Sequence, residues 1–461
     1  MFRQSFPRSW LLLVLTGTLL LASCSRPGAV ERPNFIVILV DTLRADHLGV
    51  YGYTRDTSRN VDAFARESLL FASSRSQASS TYPSVNSLLT SRSPTLFLGQ
   101  PGQALGIPAE IPSIPGILRQ NGYRTAAISG SPIVRNTPHR RNPTGGFGHG
   151  FDTFEEECLW DPAACLNRLA LKHLRSEDKR PFFLYLHYMD PHAPYRPPRS
   201  ERRNFRFAQP TAASEKKFIR QGEPTPIAAM IYDGQPDPGV TPAELQHLVN
   251  LYDEEIAYFD RRFAEFLAAV REAGLLDNTI LVFTSDHGED FLEHGHIVHG
   301  RTLFDTSIKT PLIFHVPGVK PRVITEPVQN LDIVPTLLDY AGIDTAGFQF
   351  EGRSLRALIE GRKDDGEPRQ QFAAQVALRS ASDGRFKLIH DLRDGRSWLY
   401  EVATDPQETR DILAQERRTF HHLRKTLTAW LARTEGEGTA AESVRKGDEA
   451  EARLKALGYL Q

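Results

Sequence analysis

No charge of either sign dominates this 461-residue sequence, in which 55 lysines and arginines face 56 aspartates and glutamates. Without residues 1–23, an apolar leader that carries Arg3 and Arg8, 53 basic residues remain and the net charge is −3. That balance leaves no electrostatic footprint for nucleic acid, and none is expected as a partner. The sequence lacks an uninterrupted apolar run of the ~20 residues that a membrane span needs. It has no internal repeat and no heptad array, which sets aside solenoids and coiled coils. Cysteine is scarce, with three in the whole chain. The apolar fraction of 40% allows a large core, with one big domain and a smaller appendage.

The leader reads as a secretion signal: a basic start, the apolar run Trp10 to Leu15 and Leu19 to Leu21, then Ala22-Ser23-Cys24. Leu21-Ala22-Ser23-Cys24 looks like a bacterial lipobox, in which Cys24 would be lipidated and become the mature N-terminus. The alternative is an ordinary cleavable signal with an incidental cysteine. Ser25 resembles the pattern that sorts to an outer membrane. The expected location is therefore a bacterial cell envelope, outer membrane or periplasm, with a lipid anchor in the membrane. In that oxidising compartment Cys158 and Cys165 are candidates for a local disulfide, with two free buried thiols as the alternative. The expected partition is a signal at 1–23, a lipidated linker at 24–31, a catalytic domain at 32–365, and a C-terminal subdomain with a helical tail at 366–461. Residues 196–245, rich in Pro, Arg and polar residues, read as a surface insertion that shapes access.

Strand and helix signals alternate, the pattern of a doubly wound parallel sheet. Three apolar runs end in residues that bind metals. Phe35 to Val40 runs into Asp41; Thr279 to Phe283 runs into Ser285-Asp286-His287-Gly288; Phe182 to Leu186 runs into His187-Tyr188-Met189-Asp190-Pro191-His192. In open α/β sheets the strand ends form the rim where ligands bind, so two carboxylates and an imidazole delivered there make a candidate metal site. Further strands are expected at Tyr123 to Ser129 and Pro311 to Val316. Leu248, Tyr252, Ile256, Phe259, Phe263, Phe266 and Val270 recur at helical spacing and predict an amphipathic helix stopped at Gly274. From about Arg385 short β runs, Phe386 to His390 and Ser397 to Val402, predict a small antiparallel subdomain, with a charged helical tail after it.

Thr81 stands in Ser79-Ser80-Thr81-Tyr82-Pro83-Ser84, where Pro83 and Ser84 fit a first helical turn. The threonine is therefore expected just ahead of a helix N-terminus, whose dipole end suits an anionic substrate. Taken alone, such a cluster is usually only a cap. The acidic and histidine-bearing loop Glu289, Asp290, Glu293, His294 and His296 is expected to be solvated or to lie behind the ligands.

Several ordered motifs resemble the sulfatase family of the alkaline phosphatase superfamily. They are Val40-Asp41-Thr42-Leu43-Arg44, Thr81-x-Pro83-Ser84 with Leu88-Leu89-Thr90, His187-x4-His192, Ser285-Asp286-His287-Gly288-Glu289, His299-Gly300-Arg301, and Trp398-Leu399-Tyr400-Glu401 with Asp405-Pro406. The likeness runs from about residue 32 to about 413. It implies an α/β, alkaline-phosphatase/sulfatase-like fold: a large, mostly parallel sheet flanked by helices, with a smaller C-terminal antiparallel sheet. It further implies that Asp41, Asp286 and His287 hold one divalent metal ion beside the Thr81 hydroxyl. Zn or Mn suits two carboxylates and an imidazole, with Ca or Mg as the other options. His192 and His299 would then bind non-bridging oxygens or protonate the leaving oxygen, with His187 in support.

The departures bear on the reaction. Family sulfatases carry Cys or Ser, then x-Pro-x-Arg, and convert the first residue to formylglycine; here Thr81 and Val85 occupy those positions, and threonine cannot become that aldehyde. Ser129-Gly130-Ser131-Pro132 stands where the family has Lys-x-His, and Thr42 follows Asp41 where many members have a second Asp. A threonine nucleophile with these metal residues is similar to the site of phosphoethanolamine and phosphoglycerol transferases. The expected activity is thus a metal-dependent hydrolase or transferase of phosphate esters through a Thr81 intermediate. A sulfate ester is the first alternative, and a non-catalytic lipoprotein that binds a glycan or lipid head group is the second. The expected substrates are small-molecule, glycan or lipid-linked esters.

Overall fold

Along the strand Asn34–Val40 the side chains alternate between two apolar layers. Phe35, Val37 and Leu39 join one, with Val85, Leu88 and Leu89; Ile36, Ile38 and Val40 join the other, with Leu251, Ile256, Phe259 and Phe263. Both faces of this strand are covered, which is why its sequence is a continuous apolar run and not an alternating one. These relations come from a computed structural model that describes residue 1 and residues 32–98, 106–139, 142–204, 206–208, 240–364 and 366–434. The signal, Cys24 and the 24–31 linker lie outside the described residues, as do most of the 196–245 stretch and the tail beyond 434.

The main sheet has eight strands among the described residues: β1 Asn34–Val40, β2 Leu69–Phe71, β3 Arg124–Ser129, β4 Thr153–Glu155, β5 Phe182–Tyr188, β6 Thr279–Thr284, β7 Leu312–His315 and β8 Arg322–Ile324. Their spatial order is β8-β2-β7-β6-β1-β5-β3-β4. The central strands β6, β1, β5 and β3 are parallel, as expected. β7 is not: it runs antiparallel to both β6 and β2. The chain between β6 and β7 holds the paired two-residue strands Asp290–Phe291 and Ile297–Val298 and the one-turn helix Asp305–Ile308, with no crossover helix to carry it back along the sheet. It therefore re-enters from the end it left.

The helix α1, Thr81–Thr90, packs Val85, Leu88 and Leu89 on one face of the sheet. α2, Ala163–Leu174, and the long α3, Pro242–Glu272, cover the other. α3 starts earlier than its apolar spacing suggests. Thr241 accepts from the Glu244 N–H and the Glu244 carboxylate accepts from the Thr241 N–H, a reciprocal cap that draws Pro242 to Leu245 out of the polar stretch and into the helix. Cys158 and Cys165 form a disulfide, with Cα atoms 5.8 Å apart. Among the described residues no helix is long and apolar enough to cross a membrane.

A second sheet, β9 Gln371–Gln375, β10 Leu378–Ser382, β11 Lys387–Asp391 and β12 Ser397–Tyr400, is antiparallel throughout. It opens two strands before the change of texture near Arg385. α4, Arg417–Thr434, covers one face, where Leu423, Leu427 and Trp430 meet Ala374, Ala381, Leu388 and Leu399. On the opposite face Ala373, Ile389 and Tyr400 pack on Leu303 and Ile308, beside the loop that follows β6.

Candidate active site

Strand register brings the candidate ligands together. In the parallel pair β1 and β6, Leu39 lies opposite Thr284, so Asp41 and Asp286, each two residues further on, leave the sheet side by side. Thr42 adopts a left-handed conformation, φ 56°, and its N–H donates to Asp286 Oδ1 at 3.2 Å. The His287 N–H donates to the same oxygen at 2.9 Å. On the other side of β1, Leu39 lies opposite His187, whose Nε2 donates to Asp41 Oδ2 at 3.0 Å. Tyr185, two residues back on the same face of β5, donates its hydroxyl to His187 Nδ1 at 3.0 Å and so fixes that tautomer.

One oxygen of each carboxylate is thus held, and the other is not. Asp41 Oδ1 and Asp286 Oδ2 are buried without a hydrogen-bond partner. Into the same space His287 brings Nε2, 3.3 Å from Asp286 Oδ2 and 3.9 Å from Asp41 Oδ1. Its Nδ1 donates to the Gly288 carbonyl at 2.9 Å, which leaves a lone pair on Nε2. The ligating atoms of the three residues lie within 4.8 Å of one another, and all three side chains are buried. Two unpaired carboxylate oxygens and an imidazole lone pair, buried together, suit a divalent cation by donor type. Burial, aided by the charge of Asp41, pushes Asp286 up to about 6. Burial opposes ionisation of Asp41 as well, but His192, His187 and His287 outweigh it and hold that carboxyl below its ordinary range.

Thr81 is the first residue of α1, one place further into the helix than its sequence suggests, with Ser80 as the extended cap residue. Its Oγ1 is 3.2 Å from His287 Nε2. Ser80 does not cap the helix with its side chain. Its hydroxyl donates to Gln375 Oε1 at 3.1 Å, and Gln375 Nε2 donates to the Gly300 carbonyl at 2.9 Å. The small sheet thereby ties the segment before Thr81 to the segment after His299.

The remaining histidines take different places. The His299 ring is 4.5 Å from that of His287, and the His192 ring is 5.0 Å from that of His299. His192 Nδ1 donates to the Ala193 carbonyl at 2.5 Å, and burial pushes this imidazole down to about 4. His299 Nδ1 meets Glu289 Oε1 at 2.8 Å, and Glu289 Oε2 accepts from the Tyr195 hydroxyl at 2.9 Å. His187 stands behind Asp41, fully buried, and orients it. The loop after His287 is not solvated at its start: Glu289 and Asp290 are fully buried. Asp290 accepts from Thr302, Thr306 and Ser307. Glu293 pairs with Arg44 at 2.6 Å, and His294 stacks on Phe304. Asp190 accepts the Ala163 N–H at the start of α2 at 2.9 Å. Tyr185, Gln375 and the orienting part of Glu289 escaped the sequence reading. Only Tyr185 had a signal there, its two-residue spacing from His187.

The residues that replace the family's cationic pair cannot stand in for it. Val85 is fully buried in the apolar layer under α1. Ser129 and Ser131 accept from the N–H groups of Ser131 and of Ile133 and Val134, within their own turn.

Known proteins share this architecture. The arylsulfatase of Clostridium perfringens is 24% identical over 487 aligned positions, covering 90% of this chain and 98% of that protein. Human iduronate 2-sulfatase is 27% identical, with 76% and 71% covered. Among solved structures, one determined in complex with its substrate D-glucosamine-2-N,6-O-disulfate superposes with a TM-score of 0.72 at 18% identity, covering 89% of this chain and 99% of that one. The phosphonate monoester hydrolase of Agrobacterium radiobacter superposes with a TM-score of 0.69 at 20% identity, covering 88% and 96%. The N-sulphoglucosamine sulphohydrolase C-terminal model matches residues 293–436, and the Sulfatase model matches residues 33–343. That last match begins just before β1, takes in every strand of the main sheet and carries the Asp41, Asp286 and His287 cluster, so the chain belongs to the sulfatase family of the alkaline phosphatase superfamily, a family of hydrolases.

Proposed function

We propose that the protein cleaves a phosphate ester by double displacement through a covalent intermediate on Thr81. The observation that carries this is the position of Thr81 Oγ1, 3.2 Å from His287 Nε2 at the first residue of α1, beside the two unpaired carboxylate oxygens. Asp41, Asp286 and His287, with the Thr81 hydroxyl, would hold one divalent cation, Zn or Mn by donor type. When bound, it supplies positive charge against the negative charge that develops during transfer.

Thr81 attacks phosphorus in line as its hydroxyl proton passes to solvent, and the bond from phosphorus to the ester oxygen breaks as that oxygen takes up a proton and leaves as the alcohol. His299, with Nδ1 against the Glu289 carboxylate, gives the leaving oxygen a proton from Nε2 as the imidazolium, whereas His192, neutral with its proton on Nδ1, lines the site without donating from Nε2. Water or an acceptor hydroxyl then attacks the phosphothreonine and regenerates Thr81. A formylglycine hydrate can expel sulfate by collapse of its hemiacetal. A threonine ester must be cleaved at phosphorus or sulfur itself, which favours phosphate. The family's sulfate-gripping lysine and arginine have no replacement among Val85, Ser129 and Ser131. A sulfate ester is the second reading, supported by the names of the sulfatase relatives. The leader supports placement in a bacterial cell envelope through a lipid on Cys24.

Parallel assays of aryl phosphate, phosphodiester, phosphonate and sulfate esters test the reading, with metal content measured on the same samples. Phosphate or phosphonate turnover is expected to exceed sulfate turnover. Thr81→Ala is expected to lose activity by roughly a thousandfold or more while it keeps most of its metal. Retained activity in that variant would remove Thr81 as the nucleophile.

A further inference from the structure

Beyond His192 the row of rings continues. The Trp160 indole lies 5.4 Å from the His192 imidazole at an interplanar angle of 62°, so His287, His299, His192 and Trp160 form a file that leads outward from Thr81. Trp160 is partly exposed. Its backbone sits at φ 59°, a left-handed conformation that glycine adopts freely and that a bulky residue adopts rarely.

The surroundings hold that conformation in place. The Trp160 N–H donates to the Gly130 carbonyl at 3.0 Å, and the Gly130 N–H donates to the His187 carbonyl at 3.0 Å, which ties the residue to the ends of β3 and β5. The Asp161 N–H donates to the Cys158 carbonyl at 3.0 Å, and the disulfide from Cys158 to Cys165 closes the loop around it. The Ala163 N–H donates to Asp190, two residues before His192. A turn that needed only its geometry would be served by glycine. Here a large, flat apolar side chain is held in a strained backbone position, at the outer end of a row of candidate catalytic imidazoles, by four hydrogen bonds and a disulfide. Strain kept in this way at the mouth of a site points to use of the side chain itself.

We infer that Trp160 is the outer wall of the ester site and receives the leaving group against its indole face, so that the preferred substrate carries a ring on its leaving alcohol. The inner end of that site rests on the Thr81 reading. The shared chemistry is a flat C–H or π face, which an aromatic alcohol and a sugar both present. Aromatic packing of this kind corresponds to a preference of about fivefold to tenfold.

The test is equilibrium binding by calorimetry to the metal-loaded protein and to its Trp160→Gly and Trp160→Phe variants. One ligand pair is phenylphosphonate and methylphosphonate; a second is glucose 6-phosphate and glycerol 3-phosphate. In the wild type the ring-bearing member of at least one pair is expected to bind about fivefold to tenfold more tightly. Trp160→Gly should abolish that preference and Trp160→Phe should restore part of it. The pair that responds identifies the ring as aromatic or sugar. Absence of a ring preference in the wild type, persistence of it in Trp160→Gly, or equal loss of both members of a pair would each overturn the inference. Turnover of phenyl phosphate reads the Thr81 chemistry separately. An inert enzyme with an intact, Trp160-dependent ring preference would sink the reaction and leave the wall standing.

Discussion

Replacing Lys387 with methionine tests whether a buried charge network locks the small sheet onto the loop that follows β6. Lys387 Nζ lies 2.7 Å from Asp305 Oδ1 and 2.8 Å from Glu408 Oε1. Arg75 grips Asp305 with two hydrogen bonds, 2.8 and 2.6 Å, and also donates to Gln371 on β9. The Asp305 N–H donates to Glu408 at 2.5 Å. Exposure is 8% or less for all four charged residues, so two cations and two anions balance with little help from water. Removing one cation leaves an uncompensated anion in the interior, a loss of about 3–5 kcal/mol. Lys387→Met with Glu408→Gln restores neutrality and keeps an acceptor for the Asp305 N–H, and should recover about 2 kcal/mol of that loss. Burial pushes Glu408 up to about 7, against an ordinary 4.5. A raised carboxyl pKa means that the folded state holds its proton more tightly than the unfolded one. Stability from this group is full below about 4.5 and is lost as pH rises through about 7. The Lys387→Met deficit should therefore be larger at pH 8 than at pH 5. Urea unfolding at both pH values measures it. A deficit under about 1 kcal/mol, a deficit indifferent to pH, or a double variant no more stable than the single would refute the reasoning.

Three further outcomes are expected. His187→Leu removes the donor to Asp41 Oδ2 and should weaken zinc binding by roughly 10- to 100-fold in a calorimetric titration, with the fold intact by circular dichroism. Gly288→Ala would place a Cβ 2.0 Å from the Thr306 carbonyl, and should cost at least about 1–3 kcal/mol in urea unfolding while reducing metal content. Cys24→Ser should abolish incorporation of labelled palmitate and move the protein from the membrane fraction to the soluble fraction; continued labelling would place the lipid elsewhere.

The strands that carry the site were legible in advance, because a strand buried on both faces leaves a continuous apolar run, as Phe35 to Val40 and Thr279 to Phe283 do. The short outer strands were not. Leu69–Phe71, Thr153–Glu155 and Arg322–Ile324 have three residues each, too few for any pattern to stand out. Strands Gln371–Gln375 and Leu378–Ser382 were missed for a different reason: their alanines, serines and glutamines are small or polar, and their apolar partners come from α4. The start of α3 could have been read from Thr241 and Glu244, since that reciprocal cap is a local feature.

The sequence by itself determined which chemical groups stand at strand ends, because a residue's place relative to an apolar run is local information. Asp41, Asp286, His287 and His187 needed nothing more. Only the tertiary structure decided what each group does there. The register of β1 against β6 places Asp41 beside Asp286, and the register of β1 against β5 sets His187 behind Asp41. Which carboxylate oxygens remain unpaired, and that Glu289 and Gln375 reach across to His299 and Ser80, follow from segments up to 295 residues apart in the chain. Hydrogen bonds over such separations exist only after the sheet has closed its order, so no local pattern of residue types encodes them.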